Sequence, residues 1–196
     1  MKNRVPVVIL AAGASSRMGQ PKQLLQYKGR TLLQHAIQTA SKAELHPIVV
    51  VLGAFQEEIL PTIQGYPVEI CMNSEWEEGM GSSLRAGIQY IQKAHPESTS
   101  CMFMLSDQPL ITPTHLEHLQ ETLSNLGEGI VATKYHEITG VPMIFSAKYF
   151  PILAKAKGAL GARKIVNSFP SALKRVPFEA AAQDVDTPED YQNLIA

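Results

Sequence analysis

Short apolar runs rich in β-branched residues alternate with helix-period stripes along most of the chain, and this alternation limits the fold more than any other feature. Val7, Val8, Ile9 and Leu10 read as a buried strand. Leu32, Leu33, Ala36, Ile37 and Ala40 then recur at the spacing of one helix face. A second strand is expected over 48–52, a helix over 55–63 that contains Pro61, and a third strand over 68–72. Leu84, Ile88 and Ile91 share another helix face, and 101–105 returns to strand. Thr112-Pro113 and Thr187-Pro188 each put a hydroxyl ahead of a proline, the pattern of a capped helix start. Asp190 stands where a capping box would place Glu or Gln. Further strands are expected over 130–133, 143–145 and 173–176. Strands and helices in succession predict an α/β fold: a doubly wound, mostly parallel sheet of the Rossmann-like type, in one domain spanning 1–196. A chain of 196 residues can bury such a core without disulfides or a structural metal. Cys71 and Cys101 fall in strand-like runs with no CxxC spacing, and read as buried thiols.

Ligands of such sheets bind beyond the carboxyl ends of the strands, so the loops after Leu10, Met72 and Leu105 are where chemistry is expected. The first runs Ala11-Ala12-Gly13-Ala14-Ser15-Ser16-Arg17-Met18-Gly19-Gln20-Pro21-Lys22. Small residues let backbone amides approach a polyphosphate, and glycines allow the turns of an anion nest. Arg17 can fork onto phosphate oxygens, and Lys22 adds a compact charge. Two familiar phosphate motifs fail here: Gly19 is not followed by GK[ST], and Gly13-Ala14-Ser15 breaks GxGxxG. A strand-to-helix turn with solvated charges is the competing reading. The second loop carries Gly79-Met80-Gly81-Ser82-Ser83, whose amides and hydroxyls at a helix start could face a base or phosphate, or could simply cap the helix. Trp76 in that loop reads as a partly buried core residue more readily than as a stacking platform.

After Leu105 comes Ser106-Asp107-Gln108-Pro109, which brings a carboxylate to the sheet edge beside the first loop. Mg²⁺ is typically held by one or two protein carboxylates together with phosphate oxygens and water, so Asp107 is a candidate ligand, with turn formation as its alternative. Asp184 and Asp186 alternate in an extended segment and share a side. Glu189 and Asp190 suit the dipole of the following helix. His115 and His118 lie one helical turn apart, with nothing placed to complete a metal site, and are expected on the surface. A net charge of -1 offers no footprint for nucleic acid or an anionic membrane. The apolar run at 7–10 is too short for a signal peptide or membrane span, so a cytoplasmic location is expected.

The run from Leu10 to Lys22 matches LAAGxSxRMGxxK throughout. On it the chain resembles the nucleotidyltransferases of the molybdenum cofactor cytidylyltransferase and guanylyltransferase group. Residues 79–87 are similar to the GMxSSLRxG segment of its cytidylyltransferase branch, with Ser74 where a proline is usual. Residues 184–191 resemble its DxDTPEDY ending. The resemblance implies that Leu10, Ala11, Ala12, Gly13, Ser15, Ser16, Arg17, Gly19 and Lys22 hold the nucleotide phosphates, that Gly81, Ser82 and Ser83 line the base pocket, and that Asp107 and Asp186 hold Mg²⁺. Lys22, Arg17 and Asp107 are then the catalytic set. The implied reaction moves CMP from CTP to molybdopterin and releases pyrophosphate, with a molybdoenzyme as a possible client. Alternatives are a GTP-using or sugar- or alcohol-phosphate nucleotidyltransferase of the same fold, and an accessory protein of cofactor maturation that transfers nothing. On the acceptor side Gly140, Pro142 and Arg163 are the expected contacts. There Val141 replaces a common histidine and Ala159 an acid.

Overall fold

The computed structural model describes residues 4–158 and 161–196; Ala159 lies outside them. The order of elements begins with β1 (Val7–Leu10), the short strands β2 (Gln26–Tyr27) and β3 (Arg30–Thr31), α1 (Leu32–Lys42), β4 (Ile48–Leu52), α2 (Gln56–Ile63) and β5 (Glu69–Met72). It continues with α3 (Met80–Ala94), β6 (Ser100–Leu105), α4 (Pro113–Leu126), β7 (Ile130–Tyr135) and β8 (Ile138–Ser146). Then come α5 (Phe150–Leu153), α6 (Gly161–Asn167), β9 (Leu173–Pro177) and α7 (Pro188–Ile195).

Seven strands form one sheet in the order β5-β4-β1-β6-β8-β7-β9. The four strands β5, β4, β1 and β6 pair in parallel, as their continuous apolar runs require when both faces are covered. Alternate residues of β1 point to opposite layers: Val7 and Ile9 pack with α1 and α4, whereas Val8 and Leu10 pack with α3. Gly87 of α3 makes the second layer close, since a Cβ there would stand 2.5 Å from Val8 Cγ1. The expected architecture, an α/β sheet wound both ways from β1, is thus present, with β9 parallel to β7 beyond it.

One strand runs against the rest. β8 is antiparallel to both β6 and β7 and starts at Ile138, five residues before the expected 143. Gly140, Val141 and Pro142 look like loop residues in the sequence, but they form an irregularity where the register shifts between Ala132 and Thr133. Pro142 has no amide to give a ladder, so a bulge is where a strand tolerates it. Thr133 Oγ1 donates to the Pro142 carbonyl at 2.8 Å and lies 2.8 Å from His115 Nε2. His115 is therefore buried, stacked 4.2 Å from the Phe178 ring, and not a surface residue as expected; its helix face is the inner one. Burial, and then His118, push its pKa down to about 4, so it is neutral. His118 is exposed.

Thr112 and Thr187 cap α4 and α7 as their sequences indicate, and Asp190 closes a capping box with Thr187. Cys71 and Cys101 are buried free thiols whose pKa is raised by desolvation. Among the described residues no helix is long and apolar enough to cross a membrane.

Candidate functional site

The strand order reverses at β1, whose chain continues to β4 on one side while β6 pairs on the other. Leu10 and Leu105 are register partners across that point, so the loops leaving them open into one crevice. A cleft of about 420 Å³ lies there.

The first loop does not run straight into a helix. Residues 11–21 form an irregular turn, followed by a 3-10 turn at Lys22–Leu24 and the β2–β3 hairpin before α1 begins. What shapes it is Gln23, fully buried, whose amide donates to the Ala11 carbonyl at 2.8 Å and the Gly13 carbonyl at 3.0 Å. Ser15, with a positive φ of 52°, accepts from the Lys22 amide at 3.1 Å. With the carbonyls turned inward, the amides of residues 13–17 donate to no protein acceptor among the described residues. Gly13, Ala14 and Arg17 of this run line the cleft, where unpaired amides are of the kind that can receive an anion.

Lys22 reaches from this loop to both expected aspartates. Its Nζ donates to Asp107 Oδ2 and, at 2.9 Å, to Asp186 Oδ1, while Arg17 Nη2 donates to Asp186 Oδ2 at 2.8 Å. Burial opposes the Lys22 charge, but Asp107 and Asp186 outweigh it and hold the ammonium pKa above its usual value. Burial also opposes the charge of Asp186, and here Lys22 and Arg17 win and hold the carboxyl low. Asp184 behaves differently: burial, then the Asp107 charge, lift its pKa to about 6. Asp107 Oδ1 and Asp184 Oδ1 are buried and receive no hydrogen bond.

Asp186 arrives from far along the chain. The Val185 amide donates to the Asp107 carbonyl at 3.0 Å, and Val185 itself packs in a small apolar cluster with Met18, Leu25, Tyr27 and Leu32. Tyr191 of α7 adds a hydrogen bond to the Gln26 carbonyl at 2.8 Å. The cluster fastens the acidic segment onto the first loop.

On the opposite wall stand Trp76, Gly79, Met80 and Ser83. Trp76 is half-buried against the core and also lines the cleft. Asn73 donates its amide to both Ser82 Oγ (2.9 Å) and Ser83 Oγ (3.0 Å), and Ser82 donates onward to the Gly79 carbonyl at 2.9 Å. Ser82 is consumed by this structural role, while Ser83 keeps a hydroxyl proton for the cleft. The Gly81 amide donates to the Gly158 carbonyl at 2.8 Å, and a Cβ at Gly81 would stand 2.6 Å from the Lys157 carbonyl carbon. Gly81 is thus a packing glycine.

Of the residues singled out from sequence, Leu10, Ala11, Ala12, Gly13, Arg17, Lys22, Ser83, Asp107 and Asp186 meet in the cleft. Ser15 shapes the loop from behind, and Ser16 and Gly19 are exposed beside it. Gly140 and Pro142 are buried in β8, and Arg163 is exposed on α6. Gly140 makes room for Tyr135, because a Cβ there would meet the phenol oxygen at 2.3 Å. Gln23 and Asn73, which shape the cleft by acting on neighbouring backbone carbonyls and serines, carry no signal of that role in the sequence. The pair Asp107 and Asp186 presents hard oxygen ligands, one of them an orphaned buried oxygen. Among the described residues no three His, Cys, Asp or Glu side chains gather to hold a metal ion. The protein can therefore supply two carboxylates, which is what Mg²⁺ commonly takes when phosphates complete its shell.

Residues 7–176 match the MobA-like NTP transferase domain family. The chain is 32% identical to nicotine blue oxidoreductase of Paenarthrobacter nicotinovorans, covering 96% of this chain and 95% of the relative. Rv0371c of Mycobacterium tuberculosis has the same fold with a TM-score of 0.84 at 29% identity, over 100% of this chain and 98% of that one. A structure of Rv0371c in complex with manganese aligns over 98% of both chains, with a TM-score of 0.80 and 26% identity. With the cradle, the wall of Asn73 and Ser83 and most of the sheet inside the matched span, the chain belongs to the MobA-like NTP transferase domain family.

Proposed function

We propose that the protein transfers CMP from CTP to a molybdopterin-type acceptor with release of pyrophosphate. The observation that carries this reading is the convergence of Lys22, Arg17, Asp107 and Asp186 at the mouth of a loop whose amides are free. The amides of 13–17 and Arg17 bind the triphosphate, and Ser83 and the Trp76 wall receive the base. An oxygen of the acceptor's phosphate attacks the α-phosphorus; a new P–O bond forms as the bond to the β-phosphate oxygen breaks, and pyrophosphate leaves in line. An anionic nucleophile needs no base, so Lys22 and the cradle act by positioning and by neutralising charge that builds on the α-phosphoryl oxygens. Asp107 and Asp186 would hold a divalent cation, which supplies further neutralisation of the phosphates when bound. Mg²⁺ is the proposed ion, and the manganese complex of Rv0371c supports a divalent cation in this fold. Arg163 is assigned to the acceptor side.

Pyrophosphate release should be measured with molybdenum-loaded molybdopterin, supplying CTP and GTP separately with Mg²⁺, and with Asp107→Ala as control. Release with CTP alone establishes the reading. Release only with GTP, or only with a sugar or alcohol phosphate as acceptor, reassigns the substrate within the same chemistry. Nucleotide binding without release points to an accessory role in cofactor maturation. The relative named nicotine blue oxidoreductase favours a second reading, a redox reaction in the same cleft. Oxidation of a reduced nicotinamide coupled to two-electron reduction of nicotine blue, without pyrophosphate release, would support it.

A further inference from the structure

The two carboxylates assigned to the cation have four oxygens, and protein cations claim three of them. Lys22 takes Asp107 Oδ2 and Asp186 Oδ1, and Arg17 takes Asp186 Oδ2. The fourth, Asp107 Oδ1, is buried and has no donor. Lys22 is not a passing surface contact, since its side chain is 18% exposed beside an Asp107 only 8% exposed. Arg17, at 67%, is free to swing. The charges of these four groups cancel and Asp184 in the same cleft adds at most one negative charge, so a divalent cation arriving alone would still leave this partly buried cluster positive, or would have to expel Lys22 into the cleft without a partner. A triphosphate on the loop changes that, because it offers Lys22 and Arg17 new anionic oxygens within the same cleft.

We propose that Lys22 and Arg17 are a transferable counter-ion set, passing from Asp107 and Asp186 to the nucleotide's phosphates and so uncovering the oxygens that bind the divalent cation. This rests on the assignment of Asp107 and Asp186 as its ligands. Nucleotide and cation then bind with positive coupling, each raising the other's affinity by the same factor. Lys22 opposes the free cation and favours the nucleotide, so its two roles have opposite signs. A lysine that only neutralised phosphate would leave cation binding indifferent to its removal.

Free Mn²⁺ should be titrated by electron paramagnetic resonance against the protein without nucleotide. Lys22→Met is expected to bind Mn²⁺ at least about tenfold more tightly than the unaltered protein, within the usual span of site couplings. Arg17→Ala should show a smaller gain, and adding Asp107→Asn to Lys22→Met should abolish the gain. Equal or weaker Mn²⁺ binding by a folded Lys22→Met overturns the proposal. Because that variant strands the buried Asp107 carboxylate, a second measurement uses the unaltered protein. Reductive methylation of Lys22, read by mass spectrometry, should increase in excess Mg²⁺ without nucleotide, relative to a sodium control of equal ionic strength. Unchanged methylation at a Mg²⁺ concentration that displaces bound Mn²⁺ from the protein also overturns the proposal. Neither readout needs turnover. A protein that gains Mn²⁺ affinity yet releases no pyrophosphate keeps the exchange and loses the transferase reading, and the converse result does the opposite.

Discussion

The cleft takes its charge from two segments built on different principles. The first loop, residues 11–22, is held by polar bonds within a dozen residues: Gln23 to the Ala11 and Gly13 carbonyls, and the Lys22 amide to Ser15. The acidic segment, residues 184–191, adds to its local cap a docking onto parts of the chain more than a hundred residues away, with Val185 packed on Met18, Leu25 and Tyr27 and the Tyr191 hydroxyl donating to the Gln26 carbonyl. Local polar bonds fix where amides point, whereas docking fixes only where a segment lies. The first suits a cradle whose geometry must exist before the anion arrives. The second suits carboxylates that exchange partners.

The sharpest way to break this contrast is to neutralise the carboxylate where the two segments meet. Asp107→Asn should lower pyrophosphate release by about 10²–10³-fold, a loss that persists at temperatures where the variant is still folded, although leaving Lys22 without its buried partner also lowers thermal stability. Comparable losses of fold and activity would make Asp107 a structural residue. Next, Gln23→Ala should cost about 1–3 kcal/mol of stability, because two buried carbonyls lose their donor. Calorimetry should show nucleotide binding weakened with it. Val185→Ala should cost a similar about 1–3 kcal/mol through its cavity, but its binding defect should fall on Mn²⁺ in the presence of nucleotide, not on nucleotide alone. If both variants weaken the same ligand, the two segments are one unit.

The smallest expected effect isolates the acidic segment by pH. Asp184 has a folded pKa near 6 against an ordinary 3.8, so the folded protein holds its proton longer than the unfolded chain does. The group's favourable contribution is complete below the unfolded value and is lost as pH rises through about 6. Asp184→Asn should therefore be more stable than the unaltered protein by about 1–2 kcal/mol at pH 7 and match it near pH 4. Denaturant midpoints at the two pH values would measure this. An advantage that persists unchanged at low pH would assign the effect to packing.

The same contrast explains what could be read in the sequence. β1, β4 and β6 were legible because a strand covered on both faces has to be continuously apolar, and the first loop because its small residues and charges stand consecutively. Asp107 was legible from its place after β6, and the Thr112 and Thr187 caps from the prolines behind them. β8 was hidden for half its length, since Gly140 and Pro142 have the composition of a turn and only the partner strand reveals a bulge. His115 misled for a related reason: its burial depends on Phe178 and Thr133, which no spacing within α4 discloses. Gln23 was missed because a polar side chain bound to backbone carries no periodicity. The proposed acceptor side is faint in the sequence, since Arg163 is an exposed helix charge like many others.

Asp186 stands 164 residues beyond Lys22 in the chain and 2.9 Å from it in space. During synthesis on the ribosome, the cradle would emerge long before the acidic segment, and Lys22 would meet its second carboxylate only once residues 184–191 had been made and had settled on Met18, Leu25 and Tyr27. A nascent or prematurely terminated chain could form the loop of unpaired amides without the carboxylate of Asp186 beside it. A segment translated 164 residues after Lys22 thus acts as an assembly check, by which the Lys22–Asp186 contact is withheld until residues 184–191 have been made.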